Sequence, residues 1–151
     1  MKICFAASSG GHLEEISNLT KLKEGRDCFL FTEKSEFSLS GFCDRVYYVD
    51  QINRKELLFL FKFIRLFFQS GKVLMREKPD CIVTTGALAA YPISLLAKLT
   101  GKKIIYIETF ARIDTASLTG KLMYPISDLF IVQWEDSIKF FPKAVYGGWI
   151  F

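Results

Sequence analysis

The stretches "KKIIYIE" (102–108) and "DLFIVQW" (128–134) are apolar almost without a break. A strand with one wet face alternates apolar and polar side chains, whereas a strand covered on both faces does not. These two place strands at 103–108 and 128–133, and four more short runs rich in β-branched and aromatic residues lie at 2–7, 28–32, 45–49 and 81–84. Between the runs the apolar spacing turns helical, near 11–24, 54–77, 87–99 and 115–126. Strand and helix in alternation give right-handed βαβ crossovers, and so a doubly wound, mostly parallel α/β sheet of Rossmann-like type. The 151 residues show no repeat and no linker-like segment, and amount to one domain, 1–151. Ligands of such sheets sit beyond the carboxyl ends of the strands, which singles out residues 8–12, 84–87 and 108–112.

Composition narrows the function classes. The net charge of +4 is too small to argue for nucleic acid. The four cysteines form no CxxC pair; Cys4, Cys28 and Cys81 lie in or beside apolar runs and read as reduced, buried thiols. With one histidine in the chain, no metal site is expected. No signal peptide is evident, and no apolar stretch approaches the ~20 residues that span a bilayer. The expectation is a cytoplasmic protein, soluble or peripheral on a membrane.

In "CFAASSGGHLEEI" (4–16) the first strand breaks into Ser8, Ser9, Gly10 and Gly11, and a helix follows. Glycines allow close backbone approach, a helix start offers free N–H groups, and the two hydroxyls add donors, a setting for a phosphate or diphosphate. Neither GxGxxG nor GK[ST] is present, so a plain strand-to-helix turn is the competing reading. His12 falls in the first turn of that helix, where the dipole disfavours a cation, so a neutral ring able to accept a proton is expected. At the next strand end, Thr85 and Gly86 again permit close approach. In "KKIIYIETFARI" (102–113), Glu108 closes a buried strand as a ligand-binding group, a base or a helix cap. Arg112 follows, to pair either with Glu108 or with an anionic ligand.

The segment "RKELLFLFKFIRLFFQSGKVLMREK" (54–78) is the most unusual. At helical spacing Lys55, Lys62, Arg65, Gln69, Lys72 and Arg76 form one polar stripe, and almost everything else up to Phe68 is Leu, Phe or Ile. Such a helix suits a membrane interface, with Lys55, Lys62 and Arg65 among anionic headgroups and Phe59, Phe63 and Phe67 in the apolar layer. A core helix showing only its stripe to water is the alternative.

In order and spacing, "SSGGHL" (8–13), "PDCIVTTG" (79–86), "YIETFARI" (106–113), "SLTGKLMYPISDLFIVQW" (117–134) and "YGGWIF" (146–151) resemble the acceptor-side subunit of split, two-chain glycosyltransferases. The resemblance covers essentially the whole chain. It implies the amino-terminal half of a GT-B fold, with most of the UDP-sugar site on a separate catalytic chain and no further cofactor. A more distant likeness to the acceptor domain of the enzyme that makes lipid II aligns Gly10, Gly11 and His12 with a loop facing lipid diphosphate, and Glu108 with a strand-end glutamate. By resemblance, Ser8, Ser9, Gly10, Gly11, Thr85, Gly86 and Arg112 bind a polyprenyl-diphosphate-linked sugar, and His12 or Glu108 deprotonates it. An amino-terminal anchor like that of the eukaryotic form is not expected here. That points to a bacterial capsule or exopolysaccharide system and leaves helix 55–77 as the expected contact with the cytoplasmic membrane face. The apolar tail "YGGWIF" suits either an interface with the partner or a final strand.

Overall fold

The computed structural model describes residues 1–34 and 41–150. Among these, seven parallel strands form one sheet: β1 (Lys2–Ala7), β2 (Asp27–Glu33), β3 (Arg45–Val49), β4 (Cys81–Gly86), β5 (Lys103–Ile107), β6 (Leu129–Val132) and β7 (Val145–Tyr146), in the order β3-β2-β1-β4-β5-β6-β7. The helices are α1 (Gly11–Ser17), α2 (Thr20–Lys23), α3 (Phe59–Glu77), α4 (Tyr91–Leu99) and α5 (Leu118–Met123). The chain leaves β1 toward one side of the sheet and β4 toward the other, so a crevice opens where their carboxyl ends part.

The unbroken apolar runs follow from two cores. Ile3, Phe5 and Ala7 of β1 meet Leu13 and Ile16 of α1 on one face, while Cys4 and Ala6 meet Leu66 and Val73 of α3 and Ile93 and Ala97 of α4 on the other. Every residue of β4 is buried for the same reason.

The helices are shorter than the sequence pattern predicts. Segment 11–24 breaks after Ser17, whose hydroxyl turns back to the Glu14 carbonyl at 2.7 Å. Segment 54–77 starts only at Phe59, which leaves Lys55 outside the helix, its amide donating to Asn53 Oδ1 at 3.0 Å. Residues 88–90 make a 3-10 turn before α4, which carries Pro92 in its first turn. Segment 115–126 reduces to α5, capped by Ser117 Oγ accepting from Gly120 N at 2.8 Å. All four cysteines are free; Cys4, Cys43 and Cys81 are buried and Cys28 is half-buried.

At the end of the sheet remote from the crevice, Asp128 accepts from Ile104 N at 2.9 Å and pairs with Lys98 at 2.9 Å and Lys103 at 3.2 Å. The backbone bond and the two ammonium groups hold its carboxyl down at about 2. A carboxylate depressed by folding stabilises the fold fully above its unfolded value, near pH ~4, and loses that contribution as pH falls toward the folded value. Asp128→Asn is expected to cost ~1–2 kcal/mol at neutral pH and to converge with the parent near pH ~2, as read from denaturant unfolding across that range.

Candidate functional site

Three strand ends converge on the crevice. After β1 the chain turns at Gly10, whose φ of 85° and ψ of −144° suit glycine alone. Gly11 is ordinary helix with open space where a Cβ would stand, so Gly10 carries the conformational demand of the pair. The turn puts His12 at the second residue of α1. Ser8 is buried with its hydroxyl toward the Ser9 carbonyl at 3.4 Å, and Ser9 is half-buried; neither caps α1.

The end of β4 holds His12. The ring Nδ1 lies 2.9 Å from the Thr85 carbonyl, and the Thr85 hydroxyl donates to the His12 carbonyl at 2.7 Å. A carbonyl only accepts, so Nδ1 carries the hydrogen and the neutral ring keeps its lone pair on Nε2. Gly86, with φ of 108°, holds a backbone conformation that strains any side chain, and a Cβ there would press on Tyr106 Oη at 3.0 Å and touch His12 Cε1 at 3.6 Å. Ala87 follows at φ 61° and ψ 159°, a region that costs a non-glycine residue ~1–3 kcal/mol. Backbone strain therefore sits at the crevice.

At the end of β5, Glu108 is 2% exposed. Oε1 accepts from Thr109 N at 3.3 Å, while Oε2 is buried without a hydrogen bond. Burial pushes the carboxyl up, opposed by the Ser117 hydroxyl, the Thr109 amide and His12. A methyl group at Gly120 would collide with Oε2, so α5 starts hard against this carboxylate.

The resulting cleft, of about 410 Å³, is lined by His12, Arg54, Tyr106, Arg112, Ser117 and Thr119 among others. Glu108 does not line it; of the two candidate bases, only His12 presents a ring to the cleft. Nor does Arg112 reach Glu108. Its guanidinium donates to Thr115 Oγ1 at 3.3 Å, and neither it nor Arg54 forms an ion pair among the described residues. Ser8, Ser9, Gly10, Gly11, Thr85 and Gly86 do not line the cavity; of these, Thr85 and Gly86 stand against the His12 ring. Arg54 escapes the sequence reading because it opens a stretch that scans as helix. Two guanidiniums without an ion pair among the described residues, several hydroxyls and an imidazole together suit an anionic, hydroxyl-bearing ligand.

The protein family described as "Oligosaccharide biosynthesis protein Alg14 like" matches residues 44–150. The chain belongs to the Alg14 family. The human relative, named UDP-N-acetylglucosamine transferase subunit ALG14, is 30% identical to it over 98% of this chain and 82% of its own length. Among solved structures, MurG of Acinetobacter baumannii superposes on this Alg14-family chain with a TM-score of 0.68 at 17% identity, covering 90% of the chain and 43% of MurG. UDP-GlcNAc 2-epimerase of Neisseria meningitidis, solved with UDP-GlcNAc, gives 0.77 at 16% identity, covering 99% and 47%. At such identities the likeness concerns fold. The chain spans just under half of either protein, as expected of the Rossmann-like amino-terminal half of a GT-B protein.

Two further surfaces of this Alg14-family chain bear on function. In α3, Leu66, Ser70, Val73 and Glu77 face inward, while Leu60, Phe61, Ile64, Phe68 and Met75 are 49–71% exposed. The outward apolar residues are therefore not Phe59, Phe63 and Phe67. Those three are half-buried; Phe59 stacks on Phe63 with centroids 5.6 Å apart, Phe67 meets Phe63 edge to face at 5.3 Å, and Phe63 packs on the core. Lys62 pairs with Glu56, and Arg65 with Asp50 at 3.3 Å. No helix of the described residues is long and apolar enough to cross a membrane.

The tail takes up the final-strand reading. Val145 and Tyr146 pair with β6 as β7, and Trp149 then packs on Phe110 and Trp134 with centroids 5.6 and 5.1 Å apart while remaining 60% exposed. Gln133 joins this tail to the site: its Oε1 accepts from Ile150 N at 3.0 Å and its Nε2 donates to the Glu108 carbonyl at 3.1 Å. Phe151 lies outside the described residues.

Proposed function

We propose that this chain is the acceptor-side subunit of a two-chain, UDP-sugar-dependent glycosyltransferase that acts on a polyprenyl-diphosphate-linked sugar at the cytoplasmic face of a membrane. The observation that carries this reading is the cleft at the β1/β4 crevice, lined by His12, whose Nδ1 is held by the Thr85 carbonyl, and by Arg54 and Arg112, neither of which forms an ion pair among the described residues. In this reading the two arginines hold the acceptor's diphosphate. The acceptor hydroxyl gives its proton to Nε2 as its oxygen bonds to the donor's anomeric carbon. The bond from that carbon to the UDP oxygen breaks, and UDP departs with the partner that bound it. Glu108, buried beside the cleft, shapes its field rather than taking the proton. The outward face of α3 rests in the membrane interface and keeps the cleft close to the lipid-linked substrate.

The human relative's name supports N-acetylglucosamine as the transferred sugar, and the family description supports oligosaccharide assembly. Neither supports the capsule or exopolysaccharide setting expected from the sequence.

Membranes carrying lipid-linked acceptor, supplied with labelled UDP-N-acetylglucosamine, test the reading. This chain alone and the catalytic partner alone are each expected to transfer little, and the mixture at least ~10²-fold more. Full activity from this chain alone would place the donor site here and overturn the split arrangement.

A further inference from the structure

Glu15 follows His12 by one turn on α1 and is 3% exposed, yet the mechanism above gives it no task. Its Oε1 accepts from Phe110 N at 2.8 Å and from Thr109 Oγ1 at 3.3 Å, which ties α1 to the loop after β5. Its Oε2 is buried, makes no hydrogen bond, and stands 3.7 Å from His12 Nδ1. A buried carboxylate oxygen without a partner costs free energy unless a positive charge arrives beside it. Among the described residues no other carboxylate lies within 4.0 Å of the ring.

We propose that Glu15 is the positioning residue of His12, supplying the counter-charge for the imidazolium that forms when Nε2 accepts a proton. In the resting ring the Nδ1 hydrogen points to the Thr85 carbonyl and Oε2 stands beside it. When the acceptor's O–H bond breaks and its proton settles on Nε2, the positive charge spreads over both ring nitrogens, and Oε2 is already in place to oppose it. The hydrogen bonds to Oε1 fix the carboxylate, so no reorganisation accompanies the proton. Other charged groups also act on the ring. Glu33 at the end of β2 and Glu108 after β5 add negative potential, while Arg54 before α3 and Arg112 after β5 oppose it across the cleft. Tyr106 of β5 stays neutral, its hydroxyl pushed well up by burial.

The catalytic part of this inference rests on the function proposed above; the electrostatic pairing does not. His12 is the only histidine, so its ring proton signal in an NMR pH titration of the full chain needs no further assignment. Glu15→Gln keeps an oxygen for Phe110 N and removes the charge. Its ring is expected to take up its proton at lower pH than that of the parent, because a base that loses a nearby negative charge holds its proton less well. In the two-chain assay the same variant is expected to lower kcat ~10-fold with the acceptor KM unchanged, and to move the acid limb of the rate profile to lower pH by a similar amount. A purely structural Glu15 would lower the rate equally at every pH. If Glu15→Gln does not fold, Glu15→Asp, which draws the charge back by a methylene, is expected to shift the midpoint the same way by less. An unshifted midpoint overturns the pairing. A shifted midpoint with parental kcat upholds the pairing and overturns His12 as the base.

Discussion

His12→Ala in the reconstituted two-chain enzyme is expected to lower kcat by about 10²–10⁴-fold, the range in which a general base contributes. The fold should survive. The Thr85 hydroxyl bonds to the main-chain carbonyl of His12, a contact alanine keeps, and Gly10 rather than the imidazole sets the turn into α1. The lost ring bond frees the Thr85 carbonyl, which opens toward the cleft. Initial rates at saturating acceptor, together with a melting curve of the variant, separate chemistry from stability. Parental rates would make this chain a recruiter that positions and activates its partner while contributing no group to the reaction.

Replacing Phe61 and Phe68 by serine is expected to weaken binding to vesicles containing anionic lipid by more than ~10-fold, since each exposed phenylalanine stands to bury ~1.5–3 kcal/mol of apolar surface. Both rings are about two-thirds exposed, at 68% and 70%, so the substitution should leave the unfolding midpoint in place. Phe63→Ser provides the contrast. That ring packs on the core, so its loss should lower the midpoint before it changes membrane binding. Co-sedimentation with vesicles and denaturant unfolding read the two effects separately. Unchanged vesicle binding in the double variant would mean that something other than lipid covers α3.

The strands were the most legible part of the fold, because a fully covered strand leaves a run of apolar residues that little else produces. The β1–α1 turn was legible for a related reason: paired glycines at a strand end have few uses. The orientation of α3 was not. A helix apolar over most of its circumference does not say which apolar side faces the sheet. Only packing against the sheet and α4 sends Leu66 and Val73 inward and Phe61 and Phe68 outward. Lys55 fits the stripe by spacing alone, and the helix begins four residues after it. Glu15 carries no signal of its own in the sequence. Its burial depends on the loop after β5, whose Phe110 amide lies 95 positions away. The positive φ of Ala87 leaves no trace in composition, because alanine seldom adopts it.

The two bonds between His12 and Thr85 join positions 73 residues apart. The ring of His12 is therefore held in place only once β4 has docked beside β1, and the cleft also needs residues 106–119, so no fragment ending before β4 contains it. Long-range contacts of this kind form late and cooperatively. Substitutions elsewhere in the sheet should accordingly change how many molecules in a preparation are competent, and leave the turnover of each competent molecule as it was.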